Sequence, residues 1–198
     1  MGTGKSSVGK KLAASLGYSF FDTDEVIEQV TKTTIPEIFA ENGEDGFREI
    51  ETAVLAEVAA YKKCVVATGG GVVKKKANWM HLRNGVVLCL SGTPSLLAGR
   101  IMRDGAGTRP LFKGVEDDAD AVAGKIEEMM KERAPMYANA DVQVRLAENE
   151  DTPGTEGETL EELNVRIMRC VKARIEDDGT KDRLRSEPKP GDITITGA

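Results

Sequence analysis

Histidine, tryptophan and cysteine are scarce in this chain of 198 residues, which has one, one and three of them. A lone histidine, His81, excludes a multi-histidine zinc centre. Cys64, Cys89 and Cys170 are too few and too widely spaced for a disulfide framework, which points to a reducing compartment. Cys64 and Cys89 lie inside apolar runs and read as core thiols, and His81, near Trp79 without a partner motif, reads as structural. No apolar run approaches the roughly 18 residues that a membrane helix needs. Excess positive charge is missing too. The net charge is −6, from 27 basic and 33 acidic residues, and this argues against nucleic-acid binding through a basic stripe. The acidity is local: eight acidic residues and one arginine lie between Asp141 and Glu162, leaving the rest of the chain at +1. Proline is sparse at seven residues, whereas glycine reaches 21, a balance that favours tight turns over Pro-rich linkers.

Residues 1 to about 146 alternate glycine-bearing turns, short apolar runs and amphipathic stretches, with no internal repeat. Cys64-Val-Val-Ala-Thr, Val86-Val-Leu-Cys-Leu and, more weakly, Tyr18-Ser-Phe-Phe read as buried parallel strands. Val142-Gln-Val-Arg-Leu alternates and suits an edge strand. Ser6–Leu16, Thr34–Tyr61, Thr93–Arg103 and Ala119–Glu132 have helical spacing, with Pro36 and Pro94 in first turns. An acidic, solvated loop is predicted at 147–158. A helix over Leu160–Ile175 follows, opened by a Thr159-x-x-Glu162 capping box. One domain over 1–176 and a disordered tail over 177–198 complete the layout. Ile193-Thr-Ile-Thr could pair as a strand, but it is read as part of that tail, because a strand covered on both faces wants a continuous apolar run.

Gly2-Thr3-Gly4-Lys5-Ser6-Ser7 stands directly before an amphipathic helix. In a phosphate loop, glycines let backbone N–H groups turn toward phosphate oxygens, and the helix N-terminus adds partial positive charge. Lys5 would reach the β- and γ-phosphates and Ser6 would give its hydroxyl to Mg²⁺. The pattern G-x-x-x-x-G-K-[ST] places its first glycine two residues upstream of Met1, where this sequence has nothing. Asp22-Thr-Asp24 closes the first apolar run. Its two carboxylates are expected at the C-terminal end of a strand, facing one cleft. A helix N-cap at Asp24 is the plainer alternative.

These motifs, followed by Ile38-Phe39-x-x-x-Gly43-Glu44-x-x-Phe47-Arg48-x-x-Glu51, resemble the shikimate kinase family. Ala67-Thr68-Gly69-Gly70-Gly71, Thr108-Arg109-Pro110-Leu111 and Arg133-x-Pro135-x-Tyr137 extend the likeness. The resemblance implies an α/β fold: a P-loop, nucleoside-monophosphate-kinase-like parallel sheet flanked by helices, with a mobile lid at about 104–116. It implies ATP-dependent phosphorylation of shikimate, with ATP and Mg²⁺ as cofactors. Asp24 would bind substrate hydroxyls and act as base. Arg48 and Arg133 would clamp the carboxylate, Gly70 would touch substrate through its backbone, and Phe39 and Phe47 would wall the pocket. Asp22 would stand behind the Mg²⁺, Arg109 would enter from the lid, and Arg103, less securely, would flank adenine. A small anionic polyol needs such a fixed guanidinium fork.

The resemblance also implies a monomer, with no nucleic-acid or membrane partner, in cytoplasm or plastid. A gluconate-type kinase fits the Asp22, Asp24, Arg48 and Arg133 set less well, and an inactive binding module is the alternative from outside enzymology. In the family the strand feeding the loop is the middle one, order 2-3-1-4-5. Its absence upstream of Met1 predicts a missing central strand, and hence a chain of low stability and activity that an added upstream strand would rescue.

Overall fold

The structure, a computed structural model, describes residues 2–105, 112, 114–115, 117–152, 154–177 and 193–197. Helix α1 (Lys5–Leu16) leads to strand β1 (Ser19–Asp22) and helices α2 (Thr23–Thr31) and α3 (Ile35–Val58). Strand β2 (Cys64–Ala67) is followed by a 3₁₀ turn (Val72–Lys74) and a short helix α4 (Asn78–Leu82). Then come β3 (Val86–Ser91), α5 (Pro94–Asp104), α6 (Ala119–Tyr137), β4 (Val142–Arg145), α7 (Leu160–Asp177) and β5 (Ile193–Gly197). Among the described residues, the strands form one parallel sheet in the order β1-β2-β5-β3-β4.

Strand parity divides the core into two layers. Val65, Leu88, Leu90 and Val144 face α1, α5, α6 and α7, packing with Leu12, Leu97, Ile126 and Ile167. Val66, Val87 and Cys89 point the other way, onto Ile27, Phe47, Leu55 and Leu82. Successive residues of a central strand are thus all buried, which is why β2 and β3 read as continuous apolar runs. β4 alternates buried and exposed, as an edge strand should. Cys64 and Cys89 are core thiols at 0% and 3% exposure, as expected.

The expected gap in the sheet is filled. β5 lies between β2 and β3 and pairs with both, so the reading of 177–198 as wholly disordered, and of the central strand as missing, is corrected. The domain expected over 1–176 therefore also includes 193–197. The physical reason is twofold. An empty slot would leave two inner strand edges with unpaired backbone groups, and Ile-Thr-Ile-Thr is β-branched at every position, the composition that suits a pleated strand.

Candidate active site

The loop before α1 has the backbone its sequence demands. Gly2 and Gly4 sit at φ 73° and 76°, the left-handed region that strains any side-chain-bearing residue. At Gly2 a Cβ would also stand 3.0 Å from the Leu97 carbonyl oxygen. Thr3 between them is fully buried. No acidic residue occupies the first turn of α1, so the positive end of that helix is not offset by its own side chains. Gly2, Thr3, Gly4, Lys5, Ser6 and Ser7 all line one cavity of about 1020 Å³.

Asp22 and Asp24 meet this loop, but not as a strand pair. Asp22 ends β1 and caps α2, its Oδ1 accepting the Asp24 N–H at 3.1 Å. Its Oδ2 accepts the Ser6 hydroxyl at 2.5 Å. Asp24 lies in the first turn of α2, so the expectation of two strand carboxylates is corrected, and the N-cap is Asp22 rather than Asp24. Burial, then the neighbouring Asp22, push the Asp24 carboxyl above the ordinary carboxylate range, against the pull of Lys5. Ser6 and Asp22 together form a hard oxygen donor pair beside a phosphate cradle. Among the described residues no group of three or more His, Cys, Asp or Glu could hold a metal by itself. The pair therefore suits a Mg²⁺ that takes its other ligands from phosphate and water.

The opposite wall is cationic and aromatic. The backbone leaves the helical region at Gly43 (φ 68°, ψ −174°), where α3 kinks. Phe39 stacks on Phe47 with centroids 4.5 Å apart, and the Arg48 guanidinium lies 5.2 Å from the Phe47 centroid. Arg48 donates to Glu51 at 2.7 Å and to Glu44 at 3.2 Å. A Cβ at Gly71 would collide with the Arg48 guanidinium, and one at Gly69 would stand 2.8 Å from Glu51 Oε1. The three-glycine turn thus lets the Arg48 and Glu51 side chains close on its backbone. Arg133 is 7% exposed and reaches the same cavity from α6. Among the described residues, Arg48 Nε, Arg133 Nε and Glu51 Oε1 are buried with no hydrogen-bond partner. Unsatisfied cationic donors around a cavity point to a ligand that accepts from them.

Two residues that the motifs contain have roles that the motifs alone do not assign. Glu51 is fully buried and orients Arg48; its three-residue spacing from Arg48 on a helix was the available signal. Tyr137 donates to the Gly70 carbonyl at 2.5 Å, and burial first of all raises its phenol to about 12, so it remains a donor. Tyr137→Phe is expected to lower stability by about 1–3 kcal/mol, since the Gly70 carbonyl would be left buried and unpaired. A thermal melt of the variant, with KM for the acceptor, checks both the loss and the loosening of Gly70.

The stretch 147–158 is solvated as expected, none of its described residues being buried, and its own carboxylates also tie it down. Glu148 accepts from Thr93 at 2.8 Å and from the Gly154 N–H. Glu156 pairs with Arg100 at 3.1 Å and with Arg103 at 3.5 Å. Arg100 in turn donates to the Gly2 carbonyl at 3.3 Å, which links this loop to the phosphate cradle. Arg103 is exposed on the cavity rim. Lys74 and Lys75 make surface ion pairs with Glu44 and Glu49 at 3.3 and 2.5 Å. Arg109 and most of the expected lid lie outside the described residues.

The family model for shikimate kinase matches residues 1–170. The chain belongs to the shikimate kinase family. A shikimate kinase of Nostoc sp. is 46% identical over 171 residues, 86% of each chain. One of Gloeobacter violaceus is 44% identical over 178 residues, 90% of this chain and 92% of the relative. Among solved structures, shikimate kinase from Acinetobacter baumannii in complex with shikimate superposes with a TM-score of 0.75 at 34% identity, covering 87% of this chain and 89% of its own. The Bacteroides thetaiotaomicron enzyme gives 0.74 at 31%, covering 87% and 94%. Shikimate kinases are phosphotransferases that use ATP as phosphate donor, and the fold expected from the motifs is the one found. No helix among the described residues is long and apolar enough to cross a membrane.

Proposed function

We propose that the chain transfers the terminal phosphoryl group of ATP to a hydroxyl of shikimate, giving shikimate 3-phosphate and ADP. The observation that supports this most is one cavity in which the phosphate loop faces Asp24, Arg48 and Arg133. ATP supplies the phosphoryl group. Gly2, Thr3, Gly4 and Ser7 offer backbone or hydroxyl donors to its phosphates, Lys5 brings charge to the transferring group, and Ser6 and Asp22 would hold Mg²⁺. Arg48 and Arg133 hold the acceptor's carboxylate, and Gly70 closes on the ring through its backbone. Asp24 orients the attacking hydroxyl and takes its proton. Arg103 flanks the base, and Arg109 meets the charge that develops during transfer. The unit works as a monomer without nucleic acid.

ADP release in a coupled assay, with and without shikimate, tests the reading. Turnover that needs shikimate and that gluconate cannot replace is expected; shikimate-independent ATP hydrolysis, or none, would overturn it. Arg133→Lys is expected to raise KM for shikimate about 10- to 100-fold with a smaller change in kcat, because an ammonium cannot reproduce a two-pronged fork and a charge-assisted bond contributes about 1.5–3 kcal/mol. Steady-state kinetics decide it, and an unchanged KM removes Arg133 from the acceptor site.

A further inference from the structure

The glycines that shape the phosphate loop also leave it loose. Gly2 and Gly4 stand in the left-handed region, which glycine enters and leaves freely for want of a side chain. A loop of this kind binds well only if its surroundings hold it in the binding shape. Helix α5 does so at two points one turn apart. A Cβ on Gly2 would stand 3.0 Å from the Leu97 carbonyl oxygen, so the loop backbone lies directly on that helix. Three residues on, Arg100 donates through Nη1 to the Gly2 carbonyl at 3.3 Å. The same nitrogen lies 3.5 Å from where a Cβ on Gly4 would stand, so the guanidinium spans both glycines. The Gly2–Thr3 peptide is planar and trans, and its carbonyl and N–H point in opposite directions. A bond that fixes the Gly2 carbonyl therefore also fixes the Thr3 N–H.

Arg100 is itself held. Its side chain is 18% exposed, and Glu156 pairs with its Nε at 3.1 Å. Glu156 belongs to the acidic stretch, which lies along α5. Glu148 accepts from Thr93 at the start of that helix. The Gly154 carbonyl stands 3.1 Å from where a Cβ on Gly99 would be, and Arg103 reaches Glu156 at 3.5 Å. A carboxylate on the wall of a phosphate cavity opposes phosphate by charge alone. Paired with two arginines, Glu156 is neutralised and serves as a brace.

We propose that Arg100 is a positioning residue for phosphate binding. It locks the Gly2–Thr3 peptide so that the loop N–H groups face the phosphates, and Glu156 braces it from the acidic loop. Both act through the loop and not by touching the nucleotide. The proposal rests on the phosphate-loop reading of Gly2–Ser7.

Calorimetric titration of the full chain with ADP, inorganic tripolyphosphate and shikimate tests it, with a thermal melt of each variant. Arg100→Met keeps an unbranched, helix-compatible side chain but has no donor. It is expected to weaken ADP and tripolyphosphate alike, by about tenfold each, and to leave shikimate within about twofold. Arg100→Lys can still donate to the Gly2 carbonyl. It is expected to recover part of the loss, and it reads the role should Arg100→Met fail to fold. Glu156→Ala, at a half-exposed position, is expected to weaken both phosphate ligands about threefold. Added to Arg100→Met it should cost nothing further, since Glu156 acts through Arg100. Weakened ADP with unchanged tripolyphosphate would make Arg100 a contact of the base and overturn the proposal. Tighter tripolyphosphate in Glu156→Ala would also overturn it, because bare charge and not position would then govern the site. An equal loss of shikimate would reduce Arg100 to a general support of the fold. A parent chain that binds shikimate but neither phosphate ligand would overturn the phosphate-loop reading itself, and that result is seen before any variant is made.

Discussion

Asp24→Asn is expected to lower kcat by about 10²- to 10⁴-fold, the range for losing a positioned general base. The amide keeps the size of the carboxyl and some of its hydrogen bonding, but it cannot take a proton from the attacking hydroxyl. KM for the acceptor should rise less than kcat falls. Stability should hold or increase, because Asp24 is an acid held in poor surroundings: buried, and beside Asp22. A melting temperature that stays level while kcat collapses separates chemistry from folding, and equal losses in kcat and binding would reduce Asp24 to a substrate ligand. The pH dependence follows from the same environment. Its folded pKa lies above the ordinary value, and the base form is the deprotonated one. Activity is therefore expected to fall on acidification through a pKa higher than that of a solvated aspartate, and the Asn variant should lack that limb of the profile.

The sequence shows the local devices well and the long-range ones poorly. Gly2 and Gly4 before α1 declare a phosphate cradle because only glycine tolerates their backbone. Cys64–Ala67 and Val86–Ser91 declare buried strands because both faces must be apolar. Arg48 and Glu51 are legible as positions on one helix, yet that they meet Arg133 and Tyr137 around one turn of three glycines depends on long-range packing, with α3 and α6 both against the 3₁₀ turn that follows the glycines. Pro135 hid part of this. A proline reads as a helix stop, so α6 is expected to end near Glu132, whereas it continues to Tyr137 and brings that phenol to Gly70. α2 was legible only through the alternative of a helix cap at Asp24, because it is a nine-residue helix that buries only Thr23 and Ile27. β5 escaped for a different reason. Alternating Ile and Thr carries the pattern of a half-wet strand, and nothing local says that its slot is bounded on both sides. Pairing across such a sequence distance is settled by the vacancy it fills.

Arg48→Ala is expected to cost about 3–5 kcal/mol of stability, the usual result of removing one partner of a buried ion pair. For a domain of this size that lowers the melting temperature on the order of 10 °C. The reason lies in Glu51, whose side chain is 1% exposed and accepts from Arg48 at 2.7 Å. Burial already holds this carboxyl above its ordinary 4.5, with Arg48 the main opposing influence. Without Arg48 it should rise further. A carboxyl whose pKa is higher folded than unfolded binds more protons in the folded state, so stability falls as pH rises from 4.5 through the folded value. In the variant that window extends upward, and the gap in melting temperature between parent and variant should widen as pH climbs above 4.5. Adding Glu51→Gln should recover part of the loss at neutral pH, because the stranded charge is gone, but it should not recover binding of the acceptor's carboxylate. A gap that stays constant with pH would mean that Arg48 stabilises the fold through its packing on Phe47 and not through its charge.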